Sequence, residues 1–60
     1  MDPEQFRAYL LQEICHYKES VDFYRQYKTY DNAGYRVHKA HYDTYRSVYF
    51  KFFGEKPAEE

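Results

Sequence analysis

Three histidines and a single cysteine are the side chains of this sequence best suited to chemistry. His38 and His41 are three residues apart, a spacing that places both imidazoles on one helical face and can hold a metal ion, and His16 could add a third nitrogen. A thiolate site is excluded because Cys15 has no second cysteine to join it. We predict that the histidines are polar members of a helix face, with no bound metal and no cofactor.

Cys15 and His16 are neighbours in the sequence but do not make a nucleophile and its base. Adjacent side chains on a helix diverge by about 100°, which keeps the thiol away from the imidazole. The sequence also has no glycine-rich phosphate loop and no inward-facing pair of carboxylates. We therefore predict that the protein is not an enzyme.

Length and composition favour a small intracellular domain. The 60 residues carry nine Lys and Arg against ten Asp and Glu, a net charge of -1, and the lone cysteine excludes an internal disulfide and points to a reducing, cytoplasmic setting. No apolar run is long enough for a signal peptide or a membrane span. A domain this short is marginally stable, so we expect oligomerisation to supply further burial.

Two helical patterns flank one group of turn-forming residues. In each, apolar and aromatic residues recur at spacings of four and three: Leu10, Ile14, Tyr17, Val21 and Tyr24, then His38, Tyr42, Tyr45, Tyr49 and Phe52. Together with these turn-forming residues, the two patterns predict helix 3–30, turn 31–34, helix 35–53 and a frayed tail 54–60. The predicted fold class is all-α, an antiparallel helical hairpin.

The first helix carries more aromatic surface than one partner helix can cover. Tyr9, His16, Phe23 and Tyr30 recur every seven residues beside the core pattern. We predict self-association through Tyr9, His16 and Phe23, giving a homodimer that forms a four-helix bundle. The alternative is a monomer whose surface tyrosines are half covered by neighbouring long side chains.

Charge is uneven along the chain, because the half around the turn is basic. Arg25, Lys28, Arg36 and Lys39 crowd this region and could contact RNA or DNA phosphates. Basic residues also flank the core of any helical bundle, and a nucleic-acid-binding protein normally has a clear positive excess. Protein binding is therefore the favoured function, and the expected partner-binding residues are aromatic: Tyr27, Tyr30 and Tyr35.

Two resemblances to known families add to this interpretation. The stretch from Tyr45-Arg46-Ser47 to Phe53-Gly54, with the acidic tail, resembles the C-terminus of the Rop family of plasmid copy-control proteins, dimeric helical hairpins that bind paired RNA loops. The match covers ten residues, and helix 1 lacks that family's polar RNA-contacting pattern, so RNA binding does not carry over.

The whole chain is also similar to the small accessory proteins of the exo-xis early region of lambdoid phages. The similarity consists of the length, the opening Asp2-Pro3-Glu4-Gln5-Phe6 and the two tyrosine-rich helices. It implies a bacteriophage regulatory protein that acts on a host protein by binding, in the cytoplasm of the bacterial host.

Overall fold

The computed structural model describes residues 2–28 and 31–57, and in this part of the chain it contains two α-helices and no strand. Helix α1 runs Pro3–Gln26, and helix α2 runs Ala33–Phe53. Within the described ranges, neither helix combines the length and the apolar character needed to cross a membrane.

The two helices pack against each other in antiparallel orientation. At one end the ring of Phe6 lies 6.2 Å from that of Phe53, and at the other Tyr24 lies 6.3 Å from Tyr35. The predicted all-α helical hairpin is confirmed.

Helix α1 begins with a capping box. The Asp2 carboxylate accepts a hydrogen bond from the Gln5 amide at 2.8 Å, and the Gln5 side chain accepts one from the Asp2 amide at 3.4 Å. Pro3 follows the cap, where its missing N–H costs no helical hydrogen bond.

Helix α1 ends at Gln26, so the prediction of a helix over 3–30 was wrong at Tyr27 and Lys28, while residues 29 and 30 lie outside the described residues. Lys28 has a φ of 56°, in the left-handed region, and its amide donates to the Arg25 carbonyl at 3.1 Å. A left-handed residue stops the helix by turning the chain away from its axis. Tyr30 lies outside the described residues.

Helix α2 begins two residues before the predicted start, so the predicted turn 31–34 was too long. Asn32 adopts an extended backbone and caps the helix, with its side chain accepting from the Gly34 amide at 2.7 Å. Ala33 and Gly34 are therefore helical. The amide side chain acts as an N-cap, a role that Asn fills as readily as a turn position.

The end of α2 is fixed by a glycine. Gly54 has a φ of 71°, which suits a residue without a Cβ, and its amide donates to the Phe50 carbonyl at 2.8 Å. The residues that follow, up to 57, fold back against the hairpin, while 58–60 lie outside the described residues.

The tail that the sequence predicts to be frayed makes contacts with the hairpin in its described part. Arg7 of α1 donates to the Tyr49 hydroxyl at 2.9 Å and forms an ion pair with Glu55, and its guanidinium lies 4.3 Å from the Phe53 ring centroid. The hydrogen bond to Glu55 is the main reason that the pKa of Arg7 is raised. Pro57 is buried. Long-range contacts therefore anchor the chain after α2.

The core lies between the helices and is small. In the described residues, the fully buried apolar side chains are Leu10, Ile14, Val21 and Tyr49. Half-buried side chains pack around this centre: Phe6, Leu11, Tyr42, Tyr45 and Phe53. Phe52, which the helical pattern places in the core, is instead exposed, and Phe53 takes the inner position.

Candidate interaction surface

The predicted self-association residues lie on one exposed flank of α1. Tyr9 and His16 are exposed, and 57% of Phe23 is accessible. Tyr27, at 60% accessible, extends the flank, because its ring centroid lies 4.9 Å from that of Phe23. The structure therefore places Tyr27, which was predicted to bind a partner, in contact with Phe23, which was predicted to mediate self-association.

Helix α2 carries a matching exposed flank that the sequence reasoning missed. Val37, Val48 and Phe52 are accessible at 52%, 38% and 60%, and His41 between them is exposed. Positions 37, 41, 48 and 52 fall within an arc of about 60° on an ideal helix. The available signal was this recurrence on α2 beside the core pattern.

The two flanks meet on the same side of the hairpin. The rings of Tyr9 and Tyr45 lie 6.4 Å apart, and Tyr17 stacks on His41 at 5.1 Å, so aromatic contacts bridge the groove between α1 and α2 on this side. We call the joined surface the two-helix face. Its positions are Tyr9, Glu13, His16, Ser20 and Phe23 on α1, Tyr27 directly after α1, and Val37, His41, Thr44, Val48 and Phe52 on α2.

The opposite side of the hairpin has a different character. Phe50 is exposed there at 54%, one helical turn after Arg46, whose guanidinium lies 5.2 Å from the ring centroid of Tyr42. Arg7 also lies on this side, with its ion pair to Glu55. Charged groups therefore accompany the aromatic rings on this side.

An aromatic cluster around Tyr17 gathers all three histidines. Tyr17 contacts His16 at 5.0 Å, His38 at 5.5 Å and His41 at 5.1 Å between ring centroids, and it stacks on Tyr45 at 5.7 Å. Edge-to-face and stacked pairs of this kind contribute packing energy beyond simple burial. His41 stacks on the Tyr17 ring, whereas His16 and His38 meet it edge to face.

Glu13 and His16 share a face of α1 as a Glu-x-x-His pair, a spacing that can bind metals in helical bundles. Within 2–28 and 31–57, no three His, Cys, Asp or Glu side chains are grouped so that they could hold a metal ion. Cys15, beside this pair in the sequence, is exposed and free.

The Tyr9 and Tyr45 side chains interact across the two helices. A hydrogen bond with Tyr9, together with partial desolvation and the nearby Glu13 carboxylate, raises the pKa of Tyr45 to about 12. The bond favours the neutral phenol, which can donate its proton where a phenolate cannot. This pair links the α1 flank of the two-helix face to α2.

The basic residues around the turn differ in exposure and in their contacts. Arg25, Lys28 and Arg36 are exposed, Arg36 donates to the Asp31 carbonyl at 3.5 Å, and the half-buried Lys39 donates to the Asp43 carboxylate at 2.8 Å. That hydrogen bond raises the pKa of Lys39. Lys39, one of the four residues predicted to contact phosphates, is therefore already paired with the Asp43 carboxylate.

The predicted partner-binding tyrosines differ in their surroundings. Tyr27 projects into solvent, whereas Tyr35 is half-buried against Tyr24. Tyr30 falls outside the described residues. Of the described pair, Tyr27 presents far more ring surface to a partner.

Comparison of the chain with protein-family models, with curated proteins and with solved structures gave no match in any of the three searches.

Proposed function

We propose that the chain is a small, non-enzymatic protein-interaction module that self-associates as a homodimer and acts by binding another protein. The resemblance to phage accessory proteins supports a host protein as the partner and a regulatory role in the bacterial cytoplasm. In this proposal Tyr9, His16 and Phe23 mediate self-association, while Tyr27, Tyr30 and Tyr35 near the turn contact the partner.

The observation that carries the proposal is the exposure of Phe23 and Tyr27, two aromatic rings in contact with each other and both more than half accessible. Large aromatic side chains are the usual energetic anchors of protein interfaces. Exposed apolar groups that adjoin each other, unlike scattered ones, favour an interaction surface.

Nucleic-acid binding is the second candidate, favoured by the exposure of Arg25, Lys28 and Arg36 close to the tyrosines of the turn. Base stacking on tyrosine and phosphate neutralisation by arginine are the ordinary components of such a site. The Lys39–Asp43 ion pair and the net charge of -1 count against it.

Sedimentation equilibrium at tens of micromolar tests self-association. We expect twice the monomer mass for the wild type and a shift to monomer for Phe23→Glu, because the substitution places a charge where an aromatic ring anchors the contact. A monomeric wild type would refute self-association.

A separate measurement decides between protein and nucleic acid. Fluorescence anisotropy with labelled single-stranded DNA and an RNA hairpin, near physiological salt, should give no binding at micromolar protein. Micromolar binding that weakens steeply with salt, and is lost in the Arg36→Glu, Lys39→Glu double variant, would make nucleic acid the ligand. Tyr27→Ala serves as the aromatic comparison: it should abolish capture of a protein partner, while the double variant should not.

A further inference from the structure

We infer that a second copy of this chain covers the two-helix face except Tyr27, which stays with the protein partner, so that α2 contributes to the dimer interface through Val37, Val48 and Phe52 as α1 does through Phe23. The inference rests on the self-association proposed above and adds to it the contact surface of the second helix.

Spacing on both helices supports this surface. On α1 the face uses positions 9, 13, 16, 20 and 23, with 27 directly after the helix, and on α2 it uses 37, 41, 44, 48 and 52. These spacings of mostly four and three residues are typical of a helix that packs along a neighbour. Each helix thus carries two adjacent rows of side chains. One row packs against the other helix of the hairpin, and the other row is exposed.

Charge favours a second copy as the occupant. Among the positions of the face, Glu13 is the one charged residue, and it is half-buried. A two-fold dimer brings the same surface of both copies together, and a face with few charges can do so without repulsion. A nucleic acid requires cations that these positions do not supply.

The size of the hairpin is comparable with the area that one partner buries in a stable dimer. Its Cα atoms span 37 × 19 × 15 Å, so the broadest outline of the hairpin, 37 × 19 Å, is about 700 Å² and sets the size of any face that one copy can offer. Stable, specific interfaces bury about 800 Å² per partner. Two hairpins in contact through these faces would form a four-helix bundle with a continuous aromatic centre.

The test uses substitutions on α2 and a matched control on the same helix. Val48→Glu and Val37→Glu each place a carboxylate on the face, whereas Phe50→Glu places one at an equally exposed site on the opposite side. Sedimentation equilibrium gives the dimer dissociation constant, and far-UV circular dichroism checks that each variant remains helical.

We expect both valine variants to raise the dissociation constant by about tenfold or more, and Phe50→Glu to leave it within about twofold. If Phe23→Glu dissociates the dimer and the valine variants do not, the inference is overturned while self-association through α1 stands. Equal weakening by all three α2 variants would also overturn it, because the contact would then have no preference for this face. A wild type that is monomeric, or that binds anionic lipid vesicles in place of its own copy, would overturn the inference together with self-association.

Discussion

Replacing Ile14 by alanine gives the most direct test of how this hairpin is held together. Ile14 is fully buried and touches the centre of the core formed with Leu10 and Tyr49. The three side chains come from both helices, so a cavity here weakens the contact between α1 and α2. A lone cysteine excludes a disulfide within these 60 residues, so the contact between the helices depends on side-chain packing.

The expected loss is large relative to the total stability. Truncating a buried isoleucine to alanine typically costs about 2–5 kcal/mol, since the cavity is only partly closed by relaxation. A folded chain of 60 residues has a free energy of unfolding of about 3–9 kcal/mol at ordinary values per residue. Ile14→Ala should therefore remove a large share of the stability, from about a quarter to all of it, and Ile14→Val about 0.5–1.5 kcal/mol.

Urea unfolding followed by circular dichroism, at one fixed protein concentration, measures both changes. Gln12→Ala is the matched control, because Gln12 is exposed two residues away on the same helix, and it should change the free energy of unfolding by less than about 0.5 kcal/mol. If Ile14→Ala and Gln12→Ala had the same small effect, the α1–α2 contact would not be the core of the protein. Ile14→Val keeps the comparison measurable if the alanine variant is unfolded.

Two further predictions concern polar contacts between distant parts of the chain. Arg7→Ala should lower the urea midpoint more than Glu55→Gln, because the arginine also bonds Tyr49, and the effect of Glu55→Gln should vanish in 1 M salt, where exposed ion pairs are screened. Because folding raises the pKa of Tyr45 from 10.0 to about 12, its contribution to stability is complete below pH 10 and is lost as the pH rises toward 12. Tyr45→Phe should flatten the stability profile in that window, as measured by urea melts between pH 9 and 12. An unchanged profile would mean that the hydrogen bond with Tyr9 does not form.

The parts of the fold that local sequence determines were predictable. Asp2 and Gln5 have the types and spacing of a capping box and form one, and Gly54 stops α2 because its left-handed backbone suits glycine best. The spacing of Leu10, Ile14 and Val21 also placed the core on the correct side of α1. In each case a residue type and its neighbours within one or two turns carry the information.

The errors arose where distant contacts or ambiguous residues decide the structure. Lys28 has a left-handed backbone just after α1, although lysine has no preference for that conformation. Asn32 fits a turn and a helix cap equally well, so its type alone does not decide between them. After α2, Glu55 forms an ion pair with Arg7, which lies 48 positions before it in the chain. Local patterns cannot report a contact between the two ends of a hairpin.

The surface of α2 was missed for a related reason. Val37 and Val48 are eleven residues apart, which brings them to within about 20° on a helix, but valine in a tyrosine-rich helix does not show which side faces solvent. The packing of Tyr49 inward settles that orientation, and Val48 then falls on the flank beside it. The candidate site therefore needed the pairing of the helices before its second half could be recognised.

The small core leads to a last prediction, that folding and self-association are coupled. Four fully buried apolar side chains in the described residues are few for an independent domain, whereas an interface of two such faces would bury Phe23, Val48 and their neighbours in both copies. Because mass action favours the dimer at higher concentration, the melting temperature should rise steadily as the protein is concentrated from about 1 to 100 μM. Val48→Glu should melt at a lower temperature than the wild type and lose this dependence, while Phe50→Glu should keep it. A melting temperature independent of concentration in the wild type would show that the hairpin is stable on its own, and that the exposed aromatic rings contribute nothing to its folding.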